Sequence, residues 1–279
     1  MKEKLFADLG KRLLISIFAI IIIVLLILYS QNMIIKYLFF TALILLSSTA
    51  LFEYIKIVER KNIFLNKKIL FFFTWAISFS FFLLSFYPWL GFLPFLLFVL
   101  AVISLFIAYF TQIDGALSGL SHSVFGLVYI VFPICLLFPL IYQSQGRFFL
   151  AYLLIVTKMT DIGGYFGGKI FGKHKLAPMI SPKKTVEGAF FGFIFAILSS
   201  YLFSKFFYRG AEIGALSFLA LGVILATFGQ IGDLAESLIK RDAKVKDSNS
   251  LPGLGGVLDT LDSLLFNIPI IYFFLQVIK

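Results

Sequence analysis

Long apolar runs separated by short polar segments make up most of this chain. A helix needs about 20 apolar residues to cross the hydrocarbon core of a bilayer, and by that rule we count about nine transmembrane helices. No long polar linker separates them, so the pattern indicates one continuous membrane domain. The predicted spans are 12–30, 33–55, 69–87, 89–111, 120–143, 147–168, 186–207, 212–238 and 258–278.

The fold class that follows is an all-α polytopic membrane protein. Composition agrees with it, since 61% of the 279 residues are hydrophobic, only 14% are charged, and the mean hydropathy is +1.02. A soluble domain does not reach such values. The only cysteine, Cys135, lies in an apolar run, which excludes an intrachain disulfide and a cysteine-based zinc site. We expect the first apolar run to be a retained span, because it is too long for a signal peptide.

Basic residues are distributed unevenly between the segments that join the spans, and the formal net charge is +10. With a cytoplasmic N-terminus, 18 of the 24 Lys and Arg residues fall on the cytoplasmic side and 5 on the other. The positive-inside rule therefore predicts that orientation. It also places two polar inserts, residues 158–188 and 229–263, on the cytoplasmic side. Nucleic acid is not expected as a partner, because no basic, aromatic-rich soluble domain is present.

The first polar insert begins near the end of the sixth predicted span. Lys158 and Asp161 are i and i+3 on a helix, so their side chains can pair and lower the cost of burial. This pair has two interpretations, a structural ion pair between helices or an acid that faces a polar cavity. Small residues follow that favour close helix packing in lipid. They are Gly163, Gly164, Gly167 and Gly168.

The end of the first insert predicts the start of the next helix. Ser181 is the expected N-cap, with Pro182 at the first helical position. Lys183, Lys184 and a threonine would then lie at a positive helix end with free backbone N–H groups, which is a good anion site. The alternative is a simple basic anchor, although Glu187 just inside the span does not fit an anchor.

The second polar insert carries acids and bases between two apolar spans. Asp233, Glu236 and Lys240 fall at i, i+3 and i+7, so they share one helix face. Charges at membrane depth are costly and tend to line a cavity that does chemistry. A Pro-Gly turn breaks the helix, and Asp259 and Asp262 then open the last span. Carboxylates that flank a basic, glycine-rich loop suit a magnesium–nucleotide complex.

Three motifs are spread over these inserts. The longest motif follows the pattern Ser-x-x-Lys-Arg, then Lys-Asp, then Pro-Gly-x-Gly-Gly-x-x-Asp-x-x-Asp. Its residues are Ser237, Lys240, Arg241, Lys246, Asp247, Pro252, Gly253, Gly255, Gly256, Asp259 and Asp262. A Gly-Asp-Leu-x-Glu pattern precedes it, at Gly232, Asp233, Leu234 and Glu236. The other two lie at Ser181–Gly188 and Asp161–Phe166. Together they resemble the phosphatidate cytidylyltransferases, also called CDP-diacylglycerol synthases. The resemblance covers about residues 150–265, whereas the N-terminal half matches only in being several hydrophobic spans.

The resemblance implies a reaction of CTP with phosphatidic acid that gives CDP-diacylglycerol and pyrophosphate in phospholipid biosynthesis. It implies Mg²⁺ as cofactor, leaves open a second, monovalent cation, and suggests a homodimer. We expect a multi-pass protein of the inner (plasma) membrane with membrane lipid as partner and its active site facing the cytoplasm. Residues 1–145 would be N-terminal transmembrane helices, and residues 146–279 the C-terminal transmembrane catalytic region.

The same resemblance assigns roles to individual residues. The expected catalytic residues are Asp233, Asp259, Asp262, Lys240 and Arg241. Mg²⁺ would be held by Asp233 and Asp259, with Glu236 and Asp262 as ligands or as residues that tune the site. Substrate-binding roles are expected for Asp161, Ser181, Lys183, Lys184, Thr185, Glu187, Ser237, Lys246, Gly255 and Gly256.

The sequence departs from the family pattern at three positions. Leu254 stands where the family usually has His, Thr260 where it usually has Arg, and Val186 where Trp is common. Loss of the Arg and of the His is expected to weaken phosphate or headgroup contacts, so the pattern supports the fold and the binding class more strongly than full activity.

Two other functions remain as alternatives. A CTP-dependent lipid kinase of the polyprenol type also uses membrane carboxylates and basic loops. A transporter is the non-enzymatic alternative, although no convincing internal repeat is present. The Asp-Gly-x-x-Ala-Arg pattern of CDP-alcohol phosphotransferases is absent from the sequence.

Overall fold

The computed structural model describes residues 21, 22, 24–207, 213–245 and 256–277. Within them, eight helices are long and apolar enough to cross a membrane. The prediction of an all-α polytopic membrane protein is confirmed, and eight of the predicted spans coincide with these helices. Of the first predicted span, 12–30, the structure describes residues 21, 22 and 24–30.

The chain divides into two compact units, and the first contains Met1–Tyr142 with Ala243–Thr260. Its helices are α1 (Met33–Glu59), α2 (Lys67–Leu84), α3 (Leu93–Tyr109), α4 (Ala116–Gly126) and α5 (Phe132–Tyr142), with a 3₁₀ turn at Pro88–Leu90 before α3. A π-helical turn, Leu127–Val131, joins α4 and α5 into one apolar span. Buried apolar side chains of α1, α2, α5 and the π turn form the core of this unit.

The second unit contains Gln143–Asp242 and Leu261–Lys279. Its elements are α6 (Gly146–Phe171), β1 (Lys175–Ala177), β2 (Ser181–Thr185), α7 (Val186–Phe206), α8 (Ala215–Asp242) and most of α9 (Val257–Val277). The first residues of α9 belong to the first unit.

Helices α6 and α7 pack closely because glycines line their contact. A Cβ atom on Gly167 would lie 2.3 Å from the Cβ of Phe191, and one on Gly188 would lie 2.7 Å from the carbonyl oxygen of Gly164. No larger residue fits at either position without moving a helix. Close packing by small residues, as the sequence predicted, is therefore what holds these two spans together.

The segment between α6 and α7 is a β-hairpin rather than the start of a helix. Strands β1 and β2 pair antiparallel, with Ala177 opposite Ser181. The prediction of Ser181 as N-cap is therefore wrong. Thr185 caps α7 instead, and its hydroxyl accepts a hydrogen bond from the Gly188 N–H at 3.1 Å. Threonine is also a preferred cap, and Pro182 is tolerated in a two-stranded ribbon because its missing N–H can face an open edge.

Candidate active site

An ion pair joins the hairpin of the second unit to helix α8. The Nζ atom of Lys184, on β2, lies 2.5 Å from Oδ2 of Asp233, and the two side chains are 26% and 32% exposed. The sequence placed both residues in the site without predicting that they pair. Their contact brings a basic motif and an acidic motif together at one position.

Two further acids lie near this ion pair. Asp161 on α6 pairs with Lys158 at 3.3 Å, which confirms the predicted i, i+3 contact. The carboxylates of Asp161, Asp233 and Asp262 lie within electrostatic range of one another, and Lys158 and Lys184 lie within range of Asp161. We call these three acids and two lysines the charged cluster.

Helix α8 approaches α9 closely at the residue before Asp233. A Cβ on Gly232 would lie 2.5 Å from the backbone carbonyl oxygen of Asp262 and 2.8 Å from the ring of Phe266. Only a glycine therefore allows this approach with the backbones where they are. The close approach explains how carboxylates on two different helices come together.

The acid one turn further along α8 makes a different contact. Glu236 is 1% exposed and forms an ion pair with Lys240, four residues on. Glu236 and Lys240 therefore share one face of α8, as predicted. The Nε of Arg241 donates to the carbonyl oxygen of Ile180 at 3.1 Å, which ties the end of α8 to the turn of the hairpin. Ser237 is partly buried on the same helix.

Glu187 organises the segment that precedes the hairpin. Its carboxylate accepts hydrogen bonds from the backbone N–H groups of Lys173 and His174, and it lies 2.6 Å from Nδ1 of His174. These contacts engage both oxygens of the carboxylate. The role of Glu187 in substrate binding stays a prediction.

The other predicted site residues are placed as follows. Lys183 is exposed, Ser181 is partly buried on β2, and Thr185 is buried as the cap of α7. Asp259 lies in the first turn of α9, and Gly256 accepts a hydrogen bond from the Thr260 hydroxyl at 3.0 Å. Lys246 and Gly255 lie outside the described residues, as does the departure at Leu254.

The fit of a divalent metal depends on the carboxylates of the charged cluster. Within the described ranges, no three His, Cys, Asp or Glu side chains are grouped so that they could hold an ion by themselves. Mg²⁺ usually binds one or two carboxylates and completes its shell with water and substrate phosphates. Asp233 and Asp262 fit that pattern in their chemistry, because carboxylate oxygens are the hard donors that Mg²⁺ prefers.

One buried acid was missed by the sequence analysis. Glu53 on α1 is 0% exposed, and its two oxygens accept hydrogen bonds from the N–H groups of Val257 and Leu258. It is an isolated acid within an apolar span, and that is the signal that could have revealed it. Its partners are 204 and 205 residues away, so no local pattern predicts them.

Comparison with known proteins gives a consistent result. The sequence model of the cytidylyltransferase family matches residues 10–278. The phosphatidate cytidylyltransferase of Chlamydia muridarum is 40% identical over 168 residues, which cover 57% of this chain and 55% of that protein. The phosphatidate cytidylyltransferase of Bacillus subtilis is 44% identical over 134 residues, or 48% of this chain and 49% of that protein. The chain thus spans about half the length of the curated relatives it matches.

Proposed function

Because the chain belongs to the cytidylyltransferase family, we propose that it transfers the cytidylyl group of CTP to phosphatidic acid and releases pyrophosphate. The curated relatives named above are phosphatidate cytidylyltransferases, which supports this choice of lipid substrate. One observation carries the proposal. The acids and lysines of separate motifs, Asp161, Lys184, Asp233 and Asp262, come together in the charged cluster.

The proposed reaction needs little proton transfer. An oxygen of the lipid phosphate is already anionic and attacks the α-phosphorus of CTP. The new P–O bond forms as the bond between the α-phosphorus and the bridging oxygen breaks, and pyrophosphate leaves. Catalysis of such a displacement consists mainly of alignment and charge neutralisation. A cluster of fixed carboxylates and ammonium groups is suited to both tasks.

We assign acidic residues of the site to the metal ion and basic residues to the phosphate groups. We assign Asp233 and Asp262 to Mg²⁺, and Asp259 keeps the metal role predicted from its motif. Mg²⁺, when bound, would neutralise phosphate oxygens as a Lewis acid. Lys184 and Lys240 provide ammonium groups for phosphate charge, and Asp161 borders the lipid headgroup.

Replacement of Lys184 tests the role of the ion pair. We expect Lys184→Gln to lower kcat/KM for CTP by about 10- to 100-fold, because a charged contact to phosphate is lost. Initial rates at several CTP concentrations measure the effect. The control is Lys175→Gln, which removes an exposed lysine from the neighbouring strand and should leave the rate unchanged. Equal losses in both variants would contradict a specific role for Lys184.

Product analysis tests the function itself. Purified protein is incubated with CTP labelled in the cytosine ring, phosphatidic acid and Mg²⁺, and we expect a labelled lipid together with pyrophosphate. A lipid kinase of the polyprenol type would instead transfer the γ-phosphate and leave labelled CDP. Lack of any nucleotide turnover would favour a transporter, and either result would overturn the proposal.

The cellular setting is part of the proposal. The eight long apolar helices in the described part of the chain suit a multi-pass membrane protein. The named relatives are bacterial, which supports the plasma membrane as its location. We place the charged cluster on the cytoplasmic side because CTP is found there and because the basic residues follow the positive-inside rule. We also expect a homodimer, on the family resemblance alone.

A further inference from the structure

The first unit contains a buried contact between its first described long helix and the start of its last one. Glu53 lies near the end of α1 and is fully buried. Its Oε1 accepts a hydrogen bond from the Val257 N–H at 2.9 Å, and its Oε2 accepts one from the Leu258 N–H at 2.8 Å. These are the first two residues of α9, whose N–H groups find no carbonyl partner within the helix.

The two hydrogen bonds fix more than a single point. Each oxygen binds a different, consecutive N–H, so both the position and the direction of the first turn are determined. Hydrogen bonds from backbone N–H groups to a carboxylate are short and strong, and the positive end of a helix favours the negative charge. The next residue after this pair is Asp259, and its backbone is therefore held by the same contact.

Helix α1 is itself held firmly in the first unit. The hydroxyl of Tyr54, the neighbour of Glu53, donates to the carbonyl oxygen of His122 at 3.0 Å. A Cβ on Gly126 would lie 2.9 Å from the Tyr54 ring, so the packing there is tight. Glu53 therefore lies on a tightly packed part of α1, and a residue that orients another residue must itself be held in place.

We propose that Glu53 is a positioning residue that holds the first turn of α9 and thereby presents Asp259 in a single orientation for its metal role. The inference rests on the proposed function. It gives the N-terminal spans a task in the reaction besides anchoring the protein in the membrane. The motifs could not reveal this task, because Glu53 lies outside all of them.

Glu53→Gln is the most informative variant. The side-chain amide keeps the size of the carboxylate but offers one acceptor oxygen, and its NH₂ group faces the second backbone N–H. We expect kcat to fall by about 10- to 100-fold and the Mg²⁺ concentration for half-maximal rate to rise, as is usual when a residue that orients a metal ligand is lost. The matched control is Glu59→Gln on the same helix, where Glu59 pairs with Lys67 at the surface. This control should behave as the wild type.

A second measurement does not depend on activity. Hydrogen–deuterium exchange of the whole protein in detergent, without substrate or metal, reports on the amides of Val257 and Leu258. We expect exchange there to be about 10-fold faster in Glu53→Gln and unchanged in Glu59→Gln, because the acceptor of these amides is impaired only in the first variant. If Glu53→Gln does not fold, Glu53→Asp keeps the charge with a shorter reach and takes its place.

The double variant shows whether Glu53 acts through Asp259. If it does, Glu53→Gln in an Asp259→Asn background should cause no further loss of rate. Additive losses would overturn the positioning role, as would a normal rate and Mg²⁺ requirement in Glu53→Gln. Unchanged exchange at Val257 and Leu258 would overturn the contact itself. Failure of the wild-type protein to form any cytidine lipid would instead refute the proposed function, and the positioning role with it.

Discussion

Asp233→Asn is expected to lower the rate of cytidylyl transfer by about 1,000-fold, the largest loss for any single substitution considered. The amide keeps the size of the carboxylate but removes the charge that faces Lys184 and that would hold Mg²⁺. Formation of labelled lipid from labelled CTP measures the effect in purified protein. Fixed electrostatic groups account for most of the acceleration in phosphoryl transfer, so loss of one of them is not easily compensated.

The control for this variant is Asp242→Asn at the exposed end of the same helix, α8. The chemical change is identical, and we expect no loss of rate. Thermal unfolding of both proteins shows whether the fold is retained. Near-normal turnover in Asp233→Asn would remove Asp233 from the mechanism, whatever the other acids do.

Gly232→Ala is the second variant with a large expected effect. The added methyl group would lie 2.5 Å from the carbonyl oxygen of Asp262, a backbone atom that cannot rotate away. Helices α8 and α9 must therefore separate, and overpacking of this kind typically costs about 1–3 kcal/mol. The separation also moves Asp233 relative to Asp262. We expect about a 100-fold loss of rate, since a displacement of about 1 Å can have that effect.

The matched control is Gly214→Ala, just before α8, where an added Cβ meets no atom within 4 Å. We expect its melting temperature and rate to match those of the wild type. The melting temperature and kcat of both variants are measured in the same detergent. A Gly232→Ala protein as stable and as active as Gly214→Ala would show that the contact between the helices is not as tight as described.

The transmembrane helices were predictable because lipid imposes a strong, local rule. A run of about 20 apolar residues is the length that a helix needs to cross the hydrocarbon core of a bilayer, so the sequence reveals each span directly. The span predicted at 147–168 corresponds to Gly146–Phe171, and the one predicted at 258–278 corresponds to Val257–Val277. The differences arise where polar residues extend a helix beyond its apolar part, as Lys169 does at the end of α6.

Among the contacts of the candidate site, the sequence predicted those within one helix and missed those between elements. Spacing along one helix revealed the pairing of Lys158 with Asp161, because i, i+3 neighbours must lie on one face. It could not reveal the partner of Asp233, since Lys184 comes from another element. The hairpin was missed because Ser181 and Thr185 are both good caps, and strand pairing with β1 decided between them. Local propensity does not contain that information.

The ion pair between Lys184 and Asp233 has a consequence for the order in which the site is filled. In the proposed mechanism, the ammonium group of Lys184 occupies the position beside Asp233 that Mg²⁺ would take, and it compensates the charge of that carboxylate until the metal binds. The displaced ammonium group would then require a new anion, which the triphosphate of CTP would supply. The proposed mechanism therefore favours binding of Mg²⁺ and CTP as one complex, in which the metal would compensate the charge of Asp233 and the triphosphate that of Lys184.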